Sequence, residues 1–188
     1  MTRSVRPKRS RKHLVWIDCE MTGLDPAKNV LLEIATIITN YDLEIIARGP
    51  VLAIRRSDAT LKAMDAWCRR THKKSGLIDR IRTGGVSTAE AERQTLAFVR
   101  KYCYVGTAPL CGNSIGQDKR FLARYMPRLD AFLHYRIVDV SSIKLLASEW
   151  YGGRYKPPPK QEVHRALSDI EESIAELDYY RKTVFVRS

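Results

Sequence analysis

Acidic residues are scarce in this chain: 21 Asp plus Glu stand against 33 Lys plus Arg, a formal charge of +12 over 188 residues. The opening stretch, MTRSVRPKRSRKH, has no acid at all. A basic excess of this size suits a polyanionic partner, most simply nucleic acid, with plain solubility as the blander alternative. Cysteine is also sparse. Cys19, Cys68, Cys103 and Cys111 form no C-x-x-C pair, which argues against a zinc site. They read as scattered thiols of a reducing compartment, cytoplasmic or mitochondrial. Long apolar runs are missing too: LLEIATIIT is short and broken by Glu33, so no membrane span is expected. There is no internal repeat and no long linker. The expected division is a basic, solvated arm at 1–13 and a single domain at 14–188.

Three strand-like runs come first, Leu14 to Glu20, Leu31 to Thr39 and Leu43 to Ile54, with a turn at Asn40–Asp42. One helix is expected over residues 61–76, ending near Gly76. A second starts at Ser87, where Glu90 three residues on completes a capping box. Then follow a short strand in APLCGNS, a helix DKRFLARYM stopped by Pro127, a strand YRIVDV, and a helix capped by Ser141. YKPPPKQEV is an irregular loop, because consecutive prolines cannot enter a helix. The closing helix carries Ala166, Ile170, Ile174 and Leu177 along one face. Strands first, then helices alternating with strands, indicate an α/β sandwich built on a mixed sheet.

The stretch WIDCEMTGL, Trp16 to Leu24, poses the chemical question. It reads as a buried strand, yet Asp18 and Glu20 stand two apart and therefore point the same way. Carboxylates held together raise each other's pKa unless a cation lies between them. Two further acids look misplaced: Asp118 opens a helix straight after a strand, and Asp169 lies among apolar positions of the last helix. His164 ends the proline loop. It sits five residues from Asp169, about 140° around an ideal helix, so it belongs ahead of the first turn. Four carboxylates and a histidine meet the needs of phosphodiester hydrolysis, in which two divalent ions and a neutral-pKa base position and deprotonate a water. Oxygen-only ligands favour Mg²⁺ or Mn²⁺ over zinc. Taken singly, each residue has a plainer use. Asp118 would serve as a helix cap, Asp169 as a partner of Arg165, and His164 as a structural ring.

Five motifs, WIDCEMTGL, WCRRTHKKSGL, GNSIGQDKRFL, HYRIVDVSSIK and HRALSDIEESI, together resemble the oligoribonucleases, within the DEDDh superfamily of 3′-to-5′ exonucleases. The resemblance runs from Leu14 to Arg181. It implies a ribonuclease-H-like fold, two bound Mg²⁺ or Mn²⁺, a homodimer, and hydrolysis of RNA of two to about five nucleotides to 5′-mononucleotides. By the same resemblance Asp18, Glu20, Asp118 and Asp169 are the metal ligands and His164 is the general base. Leu24 is an apolar wedge between bases, and Trp67 and Tyr135 hold a base, Tyr135 reaching in from the partner subunit. Ser114, Arg136 and Ser141 cap the substrate's 5′ phosphate. Stacking tolerates any base and contributes roughly 1–3 kcal/mol per base, which suits clearance of fragments of any composition. Three features depart from the family pattern: Ser168 where an acid is common, a proline-rich loop ahead of His164, and the basic arm. Two other readings remain open at this level: an exonuclease of longer RNA or DNA ends, and a nucleic-acid-binding domain without catalysis.

Overall fold

The computed structural model describes residues 8–157, 159 and 165–185. Five strands form one mixed sheet: β1 (His13–Met21), β2 (Leu31–Asn40), β3 (Ile45–Ala53), β4 (Leu110–Gly112) and β5 (Ile137–Asp139), in the order β3-β2-β1-β4-β5. β1, β2 and β3 run antiparallel, whereas β4 and β5 join β1 in parallel. The expected α/β architecture with a mixed sheet is therefore observed. Among the described residues eight helices flank the sheet: α1 (Asp58–Lys62), α2 (Ala66–Lys74), α3 (Leu77–Gly84), α4 (Thr88–Tyr102), α5 (Ile115–Tyr125), α6 (Pro127–Phe132), α7 (Val140–Trp150) and α8 (Ala166–Thr183).

The central strand explains the layering. Val15, Ile17 and Cys19 project into a core shared with α4, α5 and α6, through residues such as Leu96, Val99, Phe121, Leu122 and Leu129. Leu14 and Trp16 project the other way, into a core closed by Ala166, Ile170 and Ile174 of α8. A strand covered on both faces needs apolar residues at every position, and residues 14–17 supply them. Trp16 is fully buried, and its indole N–H donates to Thr39 Oγ1 at 2.9 Å. A smaller core under α1–α3 gathers Leu32, Leu61, Met64, Cys68, Leu77 and Ile81.

Several expected elements are corrected. The single helix over 61–76 is two, α1 and α2, because the Asp65 side chain captures the Cys68 N–H and starts a new helix there. Gly76, in the left-handed region at φ 73°, directly follows the C-cap Ser75 of α2, as expected, and is also the N-cap of α3. Pro127 stops α5 and is also the first residue of α6, a position where its missing N–H costs nothing. Ser87 caps α4 as expected, by accepting from the Glu90 N–H. The Glu90 carboxylate turns instead to Arg93 and Gln94, so the box is half made. Ser141 is not the cap of α7: Asp139 is, its carboxylate accepting the Ser141 N–H at 2.9 Å. The helix containing Asp118 begins three residues earlier, at Ile115. Ahead of Leu14, Ser10 pairs with Cys103, and the Ser10 N–H donates to Tyr102 O, so residues 10–13 of the expected arm belong to the fold.

Candidate active site

The even-numbered face of β1 changes character along its length. Leu14 and Trp16 pack beneath α8, and two residues further on the same face presents Asp18 and Glu20. At that level α8 is in its first turn, which contributes Asp169. Ligand oxygens of Asp18, Glu20 and Asp169 all lie within 4.8 Å of one another. The Asp169 carboxylate thus faces the other two acids.

Asp118 arrives by a different route. The Val15 N–H donates to Pro109 O, so alternate N–H groups of β1 point toward β4. β4 stops at Gly112, and the Cys19 N–H would be left without an acceptor. Asp118 Oδ1, from the first turn of α5, takes that N–H at 3.0 Å. The carboxylate is buried and fixed beside Asp18 and Glu20.

The electrostatics follow from burial and crowding. Burial, then the charges of Asp118, Glu20 and Asp169, hold the Asp18 carboxyl well above its ordinary range. Burial, then Asp169 and Glu33, push Glu20 up to about 8, with Arg80 opposing. Burial pushes Asp118 to about 7 against the Cys19 hydrogen bond. Sequence reasoning passed over Glu33, which sits opposite Glu20 across the β1–β2 pair, and Arg80, whose guanidinium donates to Glu33 at 2.7 Å. Among the described residues, five carboxyl groups face one guanidinium, too little positive charge for all of them to ionise together. A crowded set of oxygen donors short of positive charge fits hard divalent cations. The nearby Cys19 thiol lies on the opposite face of β1, with its pKa raised by burial, and offers no soft ligand.

A cleft of ≈ 370 Å³ opens beside Glu20, lined by Gly23, Leu24, Asp65, Trp67 and His72 among others. Leu24 is 72% exposed and Trp67 56% exposed, large apolar surface at the rim of an acidic centre. The Gln117 side chain donates to Leu24 O, which ties this loop to α5. His72 is a further residue that the sequence reading left without a role. Its Nε2 lies 3.0 Å from Met21 O and its Nδ1 3.8 Å from Glu20 Oε2. Its signal was a polar ring at a buried position, four residues after Cys68, within the WCRRTHKKSGL motif.

Ser114 and Ser141 meet at the ends of β4 and β5, their hydroxyls 3.1 Å apart. Ser114 is held at φ 50°, and its N–H donates to Asp139 Oδ1 and Ser141 Oγ. Ser141 donates in turn to Asn113 Oδ1. Arg136 is not brought to this pair: its guanidinium lies over the ring of Tyr135 of the same chain, 5.2 Å from the centroid. Tyr135 is 74% exposed. His164 lies outside the described residues.

A family model described as exonuclease (RNase T) matches residues 15–177. An oligoribonuclease of Paracidovorax citrulli is 54% identical over 182 residues, covering 97% of this chain and 94% of the relative. An oligoribonuclease of Vibrio vulnificus is 51% identical over 176 residues, covering 94% of this chain and 97% of the relative. Among solved structures, the zinc-bound form of E. coli exonuclease I with single-stranded DNA superposes with a TM-score of 0.74 at 13% identity. It covers 94% of this chain, which spans only 41% of that longer protein. At that identity the likeness concerns the fold alone, and it bears out the ribonuclease-H-like expectation.

Proposed function

We propose how this chain, which belongs to the oligoribonuclease family of 3′-to-5′ exoribonucleases, uses the site just described. The substrates are RNA fragments of two to about five nucleotides, released as 5′-mononucleotides. The observation that carries this reading is the convergence of Asp18, Glu20 and Asp169 within 4.8 Å, beside a cleft with Leu24 and Trp67 at its rim. Asp18, Glu20, Asp118 and Asp169 would hold two divalent ions, Mg²⁺ or Mn²⁺. Bound there, the ions supply charge neutralisation at the phosphate and a more acidic water.

The chain's own residues do the rest. Trp67 stacks on a base, and Leu24 wedges between the two bases of a dinucleotide. Such contacts read no base edges and accept any sequence. Release of 5′-mononucleotides breaks the P–O3′ bond, and His164 takes the proton of the attacking water. Ser114 and Ser141 close over the 5′ phosphate. Arg136 adds a charged fork once Tyr135 is drawn away to the partner subunit. A closed 5′ end limits substrate length, because a longer strand would have to pass through it.

The homodimer that delivers Tyr135 is supported by the exposed Leu145, Leu146 and Trp150 of α7, the helix that follows the edge strand β5. No helix among the described residues is long and apolar enough to cross a membrane.

One assay tests the reading: labelled dinucleotide, 20-mer RNA and 20-mer DNA, each with Mg²⁺ or EDTA. The expected result is fast, metal-dependent loss of the dinucleotide with little attack on either 20-mer. Preference for a 20-mer overturns the length limit, and binding without cleavage overturns catalysis.

A further inference from the structure

We infer that the surface at the end of β1 opposite the acidic cluster is a second, non-catalytic docking site for a longer RNA strand. Two segments without acids meet there, residues 8–13 and residues 100–104. The segment at Ser10 is pinned to the end of α4. Ser10 N–H donates to Tyr102 O, Ser10 bridges Cys103, and His13 Nδ1 lies 3.0 Å from Tyr102 O. This docking presents Lys8, Arg9, Arg11 and Lys12 as exposed cations at the end of α4, whose last turn carries the exposed Arg100 and Lys101. The guanidinium groups of Arg9 and Arg11 lie over the Tyr104 ring, 6.0 and 5.2 Å from its centroid. Stacked in this way they are pre-organised, with N–H groups still free to meet phosphate oxygens.

Shape points to a strand as the occupant. Lys8, Arg9, Ser10, His13, Ile46 and Tyr102 line a cleft of ≈ 560 Å³, and none of them is acidic. A groove with cations along its wall follows a phosphodiester backbone, whereas a membrane surface calls for a flat or protruding cationic face. Position separates it from catalysis. His13 is at one end of β1 and Asp18 and Glu20 are toward the other, five and seven residues on. At about 3.3 Å per residue that is roughly 17–23 Å. A di- to pentanucleotide in the catalytic cleft has no need of charge so far away. A longer RNA, too large for that cleft, would bind here and keep the enzyme near the source of fragments.

Binding is measured in EDTA, so that no hydrolysis intervenes, by fluorescence anisotropy of a labelled 20-mer single-stranded RNA on the full chain. The triple variant Arg9→Gln, Arg11→Gln, Lys12→Gln is compared with the parent across a salt series. The expected result is at least a tenfold loss of affinity and a log–log salt slope shallower by about 2 for three lost phosphate contacts. Dinucleotide hydrolysis in Mg²⁺ should stay within twofold of the parent. Unchanged 20-mer affinity in the variant overturns the inference. So does tighter binding to vesicles of one-third phosphatidylserine than to RNA, if the variant loses it. A fall in dinucleotide hydrolysis matching the fall in 20-mer binding would place these cations in the catalytic site and likewise overturn it.

Discussion

Two residues decide how tightly the site is held before any cation arrives. His72 Nε2 lies 3.0 Å from the Met21 carbonyl oxygen and so holds the turn that leads to Leu24, while its ring packs against the Glu20 carboxylate, Nδ1 3.8 Å from Oε2. His72→Ala should lower dinucleotide turnover about 10- to 100-fold, the usual cost of removing a group that orients a ligand. Circular dichroism should show the fold retained; near-parental turnover would contradict the bracing role. Glu20 shapes the response to pH. Its folded pKa of about 8 exceeds the ordinary 4.5, so the folded state keeps its proton to higher pH than the unfolded chain. Stability associated with Glu20 is therefore present below about pH 4.5 and is lost as pH rises toward 8. Asp118, raised from 3.8 to about 7, acts in the same direction. In EDTA the melting temperature should fall between about pH 5 and pH 8, and Glu20→Gln should flatten that fall. Millimolar Mg²⁺ should restore stability at the alkaline end. A melting temperature that climbs with pH in EDTA would mean that the carboxylates are not crowded in solution.

Among the elements, those with a clean period were legible and those bounded by a single residue were not. β1 and β2 show sustained apolar runs, and α4 and α8 keep helical spacing over many turns. The break between α1 and α2 rests on one side chain, Asp65, and Gly76 serves two helices at once. α6 is the plainest case. Its N-cap, Met126, offers no side-chain acceptor, and the missing acceptor comes from elsewhere in the chain. Buried Glu92 of α4 takes the N–H groups of Arg128 at 2.7 Å and Leu129 at 3.2 Å. No local pattern around Pro127 could announce a cap supplied 36 residues away. Glu92→Ala takes the carboxylate from the Arg128 N–H and leaves the Leu129 N–H only its bond to Met126 O, and should cost about 1–3 kcal/mol in urea unfolding. Glu92→Gln, which keeps an amide oxygen, should cost less. Equal losses for the two would show that the side chain matters only as packing.

At the level of the whole molecule, the spacing of Asp18 and Glu20 was readable because it is local, whereas their meeting with Asp118 and Asp169 needs three separate segments to be docked. The acid 51 residues beyond Asp118 reaches the others only because Ile170 and Ile174 pack α8 onto the face of Leu14 and Trp16. The positions of Tyr135 and Arg136 follow from a stack within one chain, which sequence spacing does not encode. The three-residue β4 makes the same point in terms of tolerance to altered chain length. A residue inserted at the exposed, uncrowded Gly106 precedes the ladder and should be absorbed by the surface loop, leaving hydrolysis intact. A residue inserted after Gln117 would turn the start of α5 by about 100° relative to the rest of the helix. Asp118 would swing off the Cys19 N–H while the sheet stayed assembled, giving a folded but inactive protein from a change no larger than the tolerated one.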